Sequence, residues 1–537
     1  MAAIWWLLKK ALLINGLPVV FSWKQYFGKS LPIGLVLAAL LVFGSRGGFQ
    51  SGPPLRWSDA YFSKHTYADH LALNGIYTLV KAVQHRGRDN SDHYWLAKLP
   101  QNEALKITRE MVLQTGNQLL LPKDYPLLKN PGIGDSSLSF ITIPRNVVLI
   151  QMESLSAQFI GVLGSTYGVT PVFDQLAMQG ILFDHFFSQG THTHQALFAS
   201  LCSFPNLPGH EYLMQDLHGQ QPFRSLPKVL QENGFDTLYI YNGSLRWDNQ
   251  EGFFRHQGMK HFIGIKDFQQ PKFTGATWGV SDEDMFLRGI TEIDHLTKKG
   301  QVFVFLQSLS NHAPYELPPP APFKDITGPA ELIPRLNGLR YADWALGRFF
   351  DIARTKPWFK QTLFLIYGDH SFAFQQPKAL LDLTRQHIPL LVYYPGDMRF
   401  AGEVIHVVGS EVDILPTILG LLKIGSPIQS WGRDLFRLDT DDPGWAIIKP
   451  SGGEPMVAFI KGNKFLVEAS GIKPVLYHYS LYPWDAQLIT EGNNNLLKKY
   501  KLALESYVAT GIDVLRRNIA GLKIQADRLY ASSPKAD

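Results

Sequence analysis

From residue 146 onward, short apolar runs rich in β-branched residues alternate with longer amphipathic segments. This alternation is typical of an α/β domain with a mostly parallel sheet covered by helices on both faces. The pattern predicts strands at 147–151, 237–241, 302–307, 363–367 and 389–394. It predicts helices at 171–179, 226–233, 331–353 and 410–422, the last capped by Ser410 and kinked at Pro416.

Two apolar stretches, at residues 11–23 and 31–43, open the chain beside lysine or arginine residues. Both are shorter than the roughly 20 residues that span a hydrocarbon core. We favour one or two membrane helices over a pair of buried or interfacial helices. Polar sequence begins at Arg46 and no later run is long enough to span, so everything beyond that residue is expected on one side of the membrane.

These patterns divide the chain into four predicted parts. Membrane-anchoring helices occupy 1–45, and a connector with helical patterns and Gly/Pro breaks occupies 46–140. The α/β pattern fills 141–436. Residues 437–537 switch to short strands (456–460, 464–468) and a charged helix (494–517), which predicts a small C-terminal α+β subdomain.

Composition narrows the possible functions. The formal charge is only +5 over 537 residues, and no Lys/Arg-dense tract with interleaved aromatics occurs, so nucleic-acid binding is not expected. The only cysteine is Cys202, which excludes an intrachain disulfide and a cysteine-based zinc finger. We expect Cys202 to be a small buried apolar residue.

Ligand-type side chains follow several predicted strands. Glu153 comes soon after the strand at 147–151, and Asp369 and His370 follow the strand at 363–367. Ligands bind beyond the carboxyl ends of parallel strands, so these side chains are expected to meet at one edge. Two carboxylates and an imidazole suit a divalent ion of the zinc, manganese or magnesium kind. Taken singly, a glutamate there is as well explained by capping a helix, and an Asp-His pair by chance.

A hydroxyl nucleophile is predicted in the segment FSQGTHTHQALF (187–198). Thr191 and Thr193 lead directly into an apolar helical run, where free backbone N–H groups also receive anions. Threonine is a poor nucleophile until a metal lowers its pKa. Without the candidate metal ligands Glu153, Asp369 and His370, helix capping alone would explain Thr191 and Thr193.

An ordered set of motifs carries a family resemblance. NVVLIQMES, TPVFDQLAMQGILFDHFFSQGTHT, SLSNHAPY, IYGDHS, and EVDILPTILG with GRDLF resemble the lipoteichoic acid synthase-like branch of the sulfatase fold. The match runs from about Arg46 to Phe436. The resemblance implies an alkaline-phosphatase/sulfatase-like sheet sandwiched by helices.

The resemblance also implies residue roles. The metal ligands would be Glu153, Thr193, Asp369 and His370, with Thr193 as nucleophile, because the GTxT spacing favours it over Thr191. Substrate-binding positions would be Trp247, His312 and Asn249, the last standing where some members carry arginine. His312 would touch the substrate phosphate and act in catalysis. One divalent ion is expected, with manganese favoured and zinc or magnesium as alternatives.

The implied reaction moves phosphoglycerol from a phosphatidylglycerol-like phospholipid to a glycan or polyol acceptor through a phosphothreonine. It would occur at the plasma (inner) membrane, on its extracytoplasmic (periplasmic) side. Two alternatives stay open, namely a phosphodiesterase or sulfatase-like hydrolase of soluble esters and a non-catalytic relative. Formylglycine chemistry is not expected, since Leu207 stands where the sulfatase signature needs arginine. The single cysteine argues against phosphoethanolamine transferases, which typically carry several disulfides.

Overall fold

The computed structural model describes residues 31–46, 71, 75, 79, 83, 99–121, 123–133, 140–273, 277–324, 326–373, 376–450, 456–490 and 494–522. The chain forms two compact units, 1–59 and 60–537. In the first, the described residues form helix α1 (Leu31–Arg46). Within the described ranges, every helix is too short or too polar to span a bilayer. The predicted apolar stretch at 11–23 lies outside those ranges.

The second unit contains the remaining helices and strands of the described chain. The helices are α2 (Gln101–Val112), α3 (Pro171–Ala177), α4 (Thr193–Cys202), α5 (Leu226–Glu232), α6 (Gln250–His256), α7 (Asp282–Leu296), α8 (Ile333–Ala353), α9 (Ile414–Leu421) and α10 (Asn494–Arg516). The first strands are β1 (Gln118–Leu119), β2 (Leu128–Asn130), β3 (Asn146–Met152), β4 (Ile181–Phe187), β5 (Asp236–Tyr241), β6 (His261–Ile263), β7 (Val302–Gln307), β8 (Thr362–Gly368) and β9 (His387–Tyr393). They are followed by β10 (Glu403–Ile405), β11 (Gly409–Ser410), β12 (Ile428–Gln429), β13 (Trp445–Ile448), β14 (Met456–Lys461), β15 (Lys464–Ala469), β16 (Ile472–Leu481) and β17 (Trp484–Leu488).

The main sheet has nine strands in the described chain, in the order β10-β4-β9-β8-β3-β7-β5-β6, with β11 also paired to β4. All pairs are parallel except those that β9 makes with β4 and β8. The mostly parallel sheet is therefore confirmed. The strand predicted at 389–394 runs against its neighbours, and β4 was not predicted.

Side chains of the central strands alternate between two cores. Along β3, Val147 and Leu149 pack into one hydrophobic cluster, whereas Val148 and Ile150 pack into the other. The first cluster also receives α4, α5 and α9, and the second receives α3, α7 and α8. Helices on both faces explain why β3 is buried at every position.

The predicted helix at 410–422 is divided near its start. A 3-10 turn covers Glu411–Asp413, and α9 begins directly after it. Pro416 consequently lies in the first turn of α9, where its missing N–H costs little, and α9 runs unbroken from Ile414 to Leu421. Ser410 precedes the turn as expected and donates its N–H to Asp413 Oδ2 at 2.8 Å.

Beyond residue 444, β13 to β17 form an antiparallel sheet that α10 follows. The strands predicted at 456–460 and 464–468 and the helix predicted at 494–517 are present as β14, β15 and α10. Apolar residues of α10, including Leu504 and Ile512, join the same core cluster as Leu149 of β3. The C-terminal helix therefore completes one face of the main α/β core.

Candidate active site

The site begins at the ends of two neighbouring parallel strands. β3 and β8 pair in register up to Met152 and Gly368. Glu153 and Asp369 are the next residues, so both emerge side by side at the carboxyl edge of the sheet. The Glu153 N–H donates to Ser308 Oγ, just beyond β7, at 2.9 Å, which fixes the backbone there.

Glu153, Asp369 and His370 offer ligand atoms that all lie within 4.8 Å of one another. We call these three residues the Glu153 cluster. His370 Nε2 is 3.7 Å from Glu153 Oε1 and 3.5 Å from Asp369 Oδ2. His370 Nδ1 lies 3.1 Å from the Ser371 carbonyl, which can only accept a hydrogen bond. Nδ1 therefore carries the proton, and the Nε2 lone pair is available to a cation.

The Asp369 carboxylate is only half satisfied by hydrogen bonds. Its Oδ1 accepts the N–H groups of Ser154 at 2.7 Å and His370 at 2.8 Å. Its Oδ2 is buried and has no hydrogen-bond partner among the described residues. Burial, and then the negative charge of Glu153, raise the pKa of Asp369 to about 7. Two crowded carboxylates with an unpaired oxygen fit a divalent cation, which would offset their charge.

The His370 imidazole responds to the same charges. Burial alone would lower the pKa of His370, but the adjacent Asp369 and Glu153 outweigh it, so the pKa is raised overall. The cluster therefore attracts positive charge, whether as a proton or as a metal ion.

Thr193 is the first residue of α4. Its Oγ1 donates to Glu153 Oε2 at 3.3 Å, which brings the hydroxyl to the Glu153 cluster. The rival Thr191 has its Oγ1 3.3 Å from His192 Nδ1 instead. The side-chain oxygen of Gln195 accepts the N–H groups of Thr191 at 2.9 Å and His192 at 3.2 Å, which holds the turn before the helix.

Gly190 is required by this turn. A Cβ at that position would collide with the side-chain amide of Gln195 and approach Asn206 Nδ2 to 3.0 Å. The glycine of the GTxT pattern therefore permits the close approach that positions Thr193.

Two histidines, His192 and His194, flank Thr193 and were not predicted as site residues. His194 is buried, with Nδ1 3.3 Å from Asp248 Oδ2, and Asp248 Oδ1 accepts from Gln215 Nε2 at 2.8 Å. Burial, followed by the nearby imidazoles of His194 and His370, lowers the pKa of His192 to about 4. His192 is therefore neutral at physiological pH. The sequence THTH (191–194) places both histidines beside Thr193, but it does not show which residue either imidazole contacts.

Trp247 and His312 are linked through a third aromatic residue, Trp278. The Trp247 and Trp278 rings are 5.5 Å apart, and the Trp278 and His312 rings are 5.0 Å apart. Trp278 Nε1 donates to the Ala313 carbonyl at 2.7 Å, and His312 Nδ1 lies 2.8 Å from the same oxygen. These three side chains, Trp247, Trp278 and His312, form an aromatic row. Trp278 was not predicted as a site residue, and it lies far from both Trp247 and His312 in the chain.

Two asparagines serve the backbone around the site. Asn311 Nδ2 donates to the Glu153 carbonyl at 3.0 Å, which ties the loop bearing His312 to the Glu153 cluster. Asn249 is buried and donates through Nδ2 to the Met214 carbonyl at 2.8 Å. The structure thus turns the Asn249 amide toward the protein, and its role in substrate binding stays a prediction.

Sequence comparison finds relatives that share this region. Residues 145–424 match the sulfatase family model, a range that includes every residue of the Glu153 cluster and Thr193. Lipoteichoic acid synthase 1 of Bacillus subtilis (strain 168) is 26% identical over 320 residues, which are 56% of this chain and 49% of the relative. The chain therefore spans about half the length of the curated relatives it matches.

Solved structures share the fold. An alkaline phosphatase superfamily protein from Vibrio parahaemolyticus superposes with a TM-score of 0.70 at 24% identity, over 80% of this chain and 100% of that one. A lipoteichoic acid synthase from Listeria monocytogenes gives a TM-score of 0.59 at 19% identity, over 71% of this chain and 94% of that one. The likeness confirms the expected alkaline-phosphatase/sulfatase-like architecture.

Proposed function

We propose that this chain, which belongs to the sulfatase family, transfers phosphoglycerol from a phospholipid head group to an acceptor hydroxyl, with Thr193 as nucleophile. The observation that carries the proposal is the hydrogen bond from Thr193 Oγ1 to Glu153 Oε2, because it places a hydroxyl at a helix N-terminus against the buried Glu153 cluster. The resemblance to lipoteichoic acid synthases supports the choice of substrate.

Glu153, Asp369 and His370, together with Thr193, would hold one divalent cation. The unpartnered Asp369 Oδ2 and the outward lone pair of His370 Nε2 suit such an ion. Manganese is the ion we favour, with zinc and magnesium as alternatives. When bound, the cation would supply Lewis acidity and offset negative charge at the site.

The first step forms a bond from Thr193 Oγ to phosphorus and breaks the bond from phosphorus to the diacylglycerol oxygen. The hydroxyl proton already points to Glu153 Oε2, so it leaves toward the cluster. Backbone N–H groups at the start of α4 face the phosphate oxygens. An acceptor hydroxyl then attacks the phosphothreonine and gives its proton to His312 Nε2, while the bond from phosphorus to Thr193 Oγ breaks and Oγ takes back the proton from Glu153.

His312 would protonate the departing diacylglycerol oxygen or donate to a phosphate oxygen. Its Nδ1 faces the Ala313 carbonyl, which leaves Nε2 to face substrate. In the imidazolium form Nε2 donates a proton, and in the neutral form it accepts one. The neighbouring Trp278 and Trp247 provide apolar surface for the glycerol or acyl-linked part of the donor.

We place this reaction on the extracytoplasmic (periplasmic) face of the plasma membrane, with a glycan or polyol as acceptor. The apolar stretches at 11–23 and 31–43 would keep the site close to its lipid donor. A donor dissolved in the bilayer explains why an enzyme with such a site would benefit from an anchor.

The test reconstitutes the full chain in vesicles with head-group-labelled phosphatidylglycerol and Mn²⁺, and follows diacylglycerol. The proposal expects diacylglycerol from the wild type and label trapped on the protein in the absence of acceptor. Thr191→Ala is the matched control for Thr193→Ala, because the two threonines lie on the same turn. Turnover of soluble esters without diacylglycerol release would favour the hydrolase instead.

A further inference from the structure

A second cluster of ligand-type side chains lies at one side of the main sheet. Asp184 and His185 belong to β4, and His406 directly follows β10, which pairs with β4 in parallel. The Asp184 carboxylate reaches His185 Nδ1 through Oδ1 at 2.7 Å and His406 Nδ1 through Oδ2 at 2.7 Å. One ligand atom from each of the three residues lies within 4.8 Å of the others. We call Asp184, His185 and His406 the edge cluster.

A break in strand register builds the edge cluster. β4 pairs with β9 as far as Phe183 and again from Phe186, with an irregularity between them. In a regular strand, Asp184 and His185 would point to opposite faces of the sheet. The bulge instead turns both side chains toward one small space, as bulges do where a strand must re-aim its residues.

The inner side of the edge cluster is fixed and the outer side is open. Asp184 is buried, whereas the His406 side chain is 73% exposed and that of His185 is 25% exposed. Behind them, His387 Nε2 lies 2.7 Å from the Asp184 carbonyl, and Tyr482 OH lies 3.3 Å from His387 Nε2. The protein can therefore supply ligands on the buried side of the edge cluster, and water can reach the exposed side.

The charge of the edge cluster is not balanced by a permanent cation. Within the part of the chain that the structure describes, the ion pairs of Asp184 are made only with His185 and His406. With both imidazoles neutral, a buried carboxylate therefore keeps its negative charge. Two imidazole nitrogens and one carboxylate are the donor set that zinc and similar ions prefer.

We propose that Asp184, His185 and His406 form a second divalent-cation site of the zinc class, separate from the Glu153 cluster and independent of the proposed transfer reaction. Each neutral imidazole binds the ion through the ring nitrogen that carries no proton and keeps its remaining proton on the other nitrogen, so binding releases no proton from either histidine. Water completes the coordination on the exposed side. The bound ion joins the bulge of β4 to the segment after β10.

The test uses the full chain, stripped with chelator, and titrates it with Zn²⁺ by calorimetry and elemental analysis. Asp369→Asn removes one of the two carboxylates of the Glu153 cluster and is expected to abolish zinc binding there, so the equivalent of Zn²⁺ that this variant retains reports on the edge cluster. Adding His406→Gln should abolish that equivalent, because glutamine keeps a hydrogen bond to Asp184 but is a poor zinc ligand.

His261→Gln is the matched control. His261 is an exposed histidine paired with Asp236 at 3.1 Å, and in the described chain that pair belongs to no group of three ligands. In the Asp369→Asn background it should leave the retained equivalent unchanged. Far-UV circular dichroism of each variant checks the fold.

Two results would overturn the second site: no zinc bound by Asp369→Asn, or zinc bound equally by Asp369→Asn and its His406→Gln derivative. A failure of the proposed transfer reaction looks different, since it would leave diacylglycerol unreleased while the edge cluster still bound zinc.

Discussion

The Glu153 cluster and the edge cluster use the same kinds of side chain in opposite proportions. The former has two carboxylates, Glu153 and Asp369, and one imidazole, and it is buried at the carboxyl edge of the sheet. The latter has one carboxylate, Asp184, and two imidazoles, one of them largely exposed.

The pKa values of Asp369 and Asp184 are shifted in opposite directions. Burial, followed by the charge of Glu153, raises the pKa of Asp369 to about 7. Burial would also raise the pKa of Asp184, but hydrogen bonds and charge from His185 and His406 lower it overall. A cluster in which two buried carboxylates repel each other is suited to bind a cation and activate a substrate. A cluster whose single carboxylate accepts hydrogen bonds from two imidazoles is suited to a structural ion that joins two segments of the chain.

The largest difference between the two clusters is expected when the Thr193 hydroxyl, which lies beside the Glu153 cluster, is removed. Thr193→Ala should lower diacylglycerol release by at least about 10³-fold, since it deletes the nucleophile. Zinc or manganese content should fall little, because Glu153, Asp369 and His370 remain. Wild-type turnover in Thr193→Ala, or loss of turnover in Thr191→Ala instead, would assign the nucleophile elsewhere.

A smaller loss is expected at the aromatic row. His312→Ala should reduce turnover by about 10²-fold, the usual contribution of a general acid, while leaving metal content unchanged. Measuring kcat and metal content on the same sample separates the two effects. Metal loss that accompanies the fall in activity would mean that His312 supports the cluster rather than the substrate.

The opposite pKa shifts predict opposite effects on stability in chelated protein at pH 8. A carboxyl whose pKa is higher in the folded chain is destabilised when charged, so Asp369→Asn should raise the free energy of unfolding by roughly 1–3 kcal/mol. Asp184→Asn should lower it by about 1 kcal/mol, because its charged form is favoured by hydrogen bonds. Urea denaturation of both variants measures the signs, and two shifts in the same direction would contradict the comparison.

The smallest effect on turnover is expected for a substitution in the edge cluster. His406→Gln should change diacylglycerol release by no more than about twofold, since the edge cluster is proposed to act on structure alone. Steady-state rates at saturating Mn²⁺ provide the measurement. A tenfold loss would show that the edge cluster takes part in the reaction.

Strand ends were the most informative signal in the sequence. Glu153, Asp369 and His370 were expected to converge because each follows an apolar run, and parallel strands end at one edge. β4 escaped prediction for a physical reason. Its apolar run ILFDHFF is interrupted by Asp184 and His185, where the bulge breaks the alternation that identifies a strand.

The pairing of distant segments could not be predicted from the pattern of apolar and polar residues. The direction of β9 cannot be taken from its own residues, although parallel strands need a long crossover that is usually helical. Between β8 and β9, the described residues contain only a 3-10 turn, Leu383–Arg385. Trp278 joins Trp247 and His312 through contacts between distant segments, and a single sequence carries no signal for such contacts.

The position of α10 limits how the protein can be shortened for recombinant work. The family match ends at residue 424, yet Tyr507 of α10 donates to the Trp431 carbonyl at 3.1 Å, and Thr510 Oγ1 lies 3.0 Å from Thr108 Oγ1 of α2. A fragment cut at the family boundary would strip both segments from the core and leave Leu149 and its neighbours poorly covered. We expect such a fragment to aggregate. A fragment that retains 99–522 keeps the contact between α2 and α10 and should express as a folded protein.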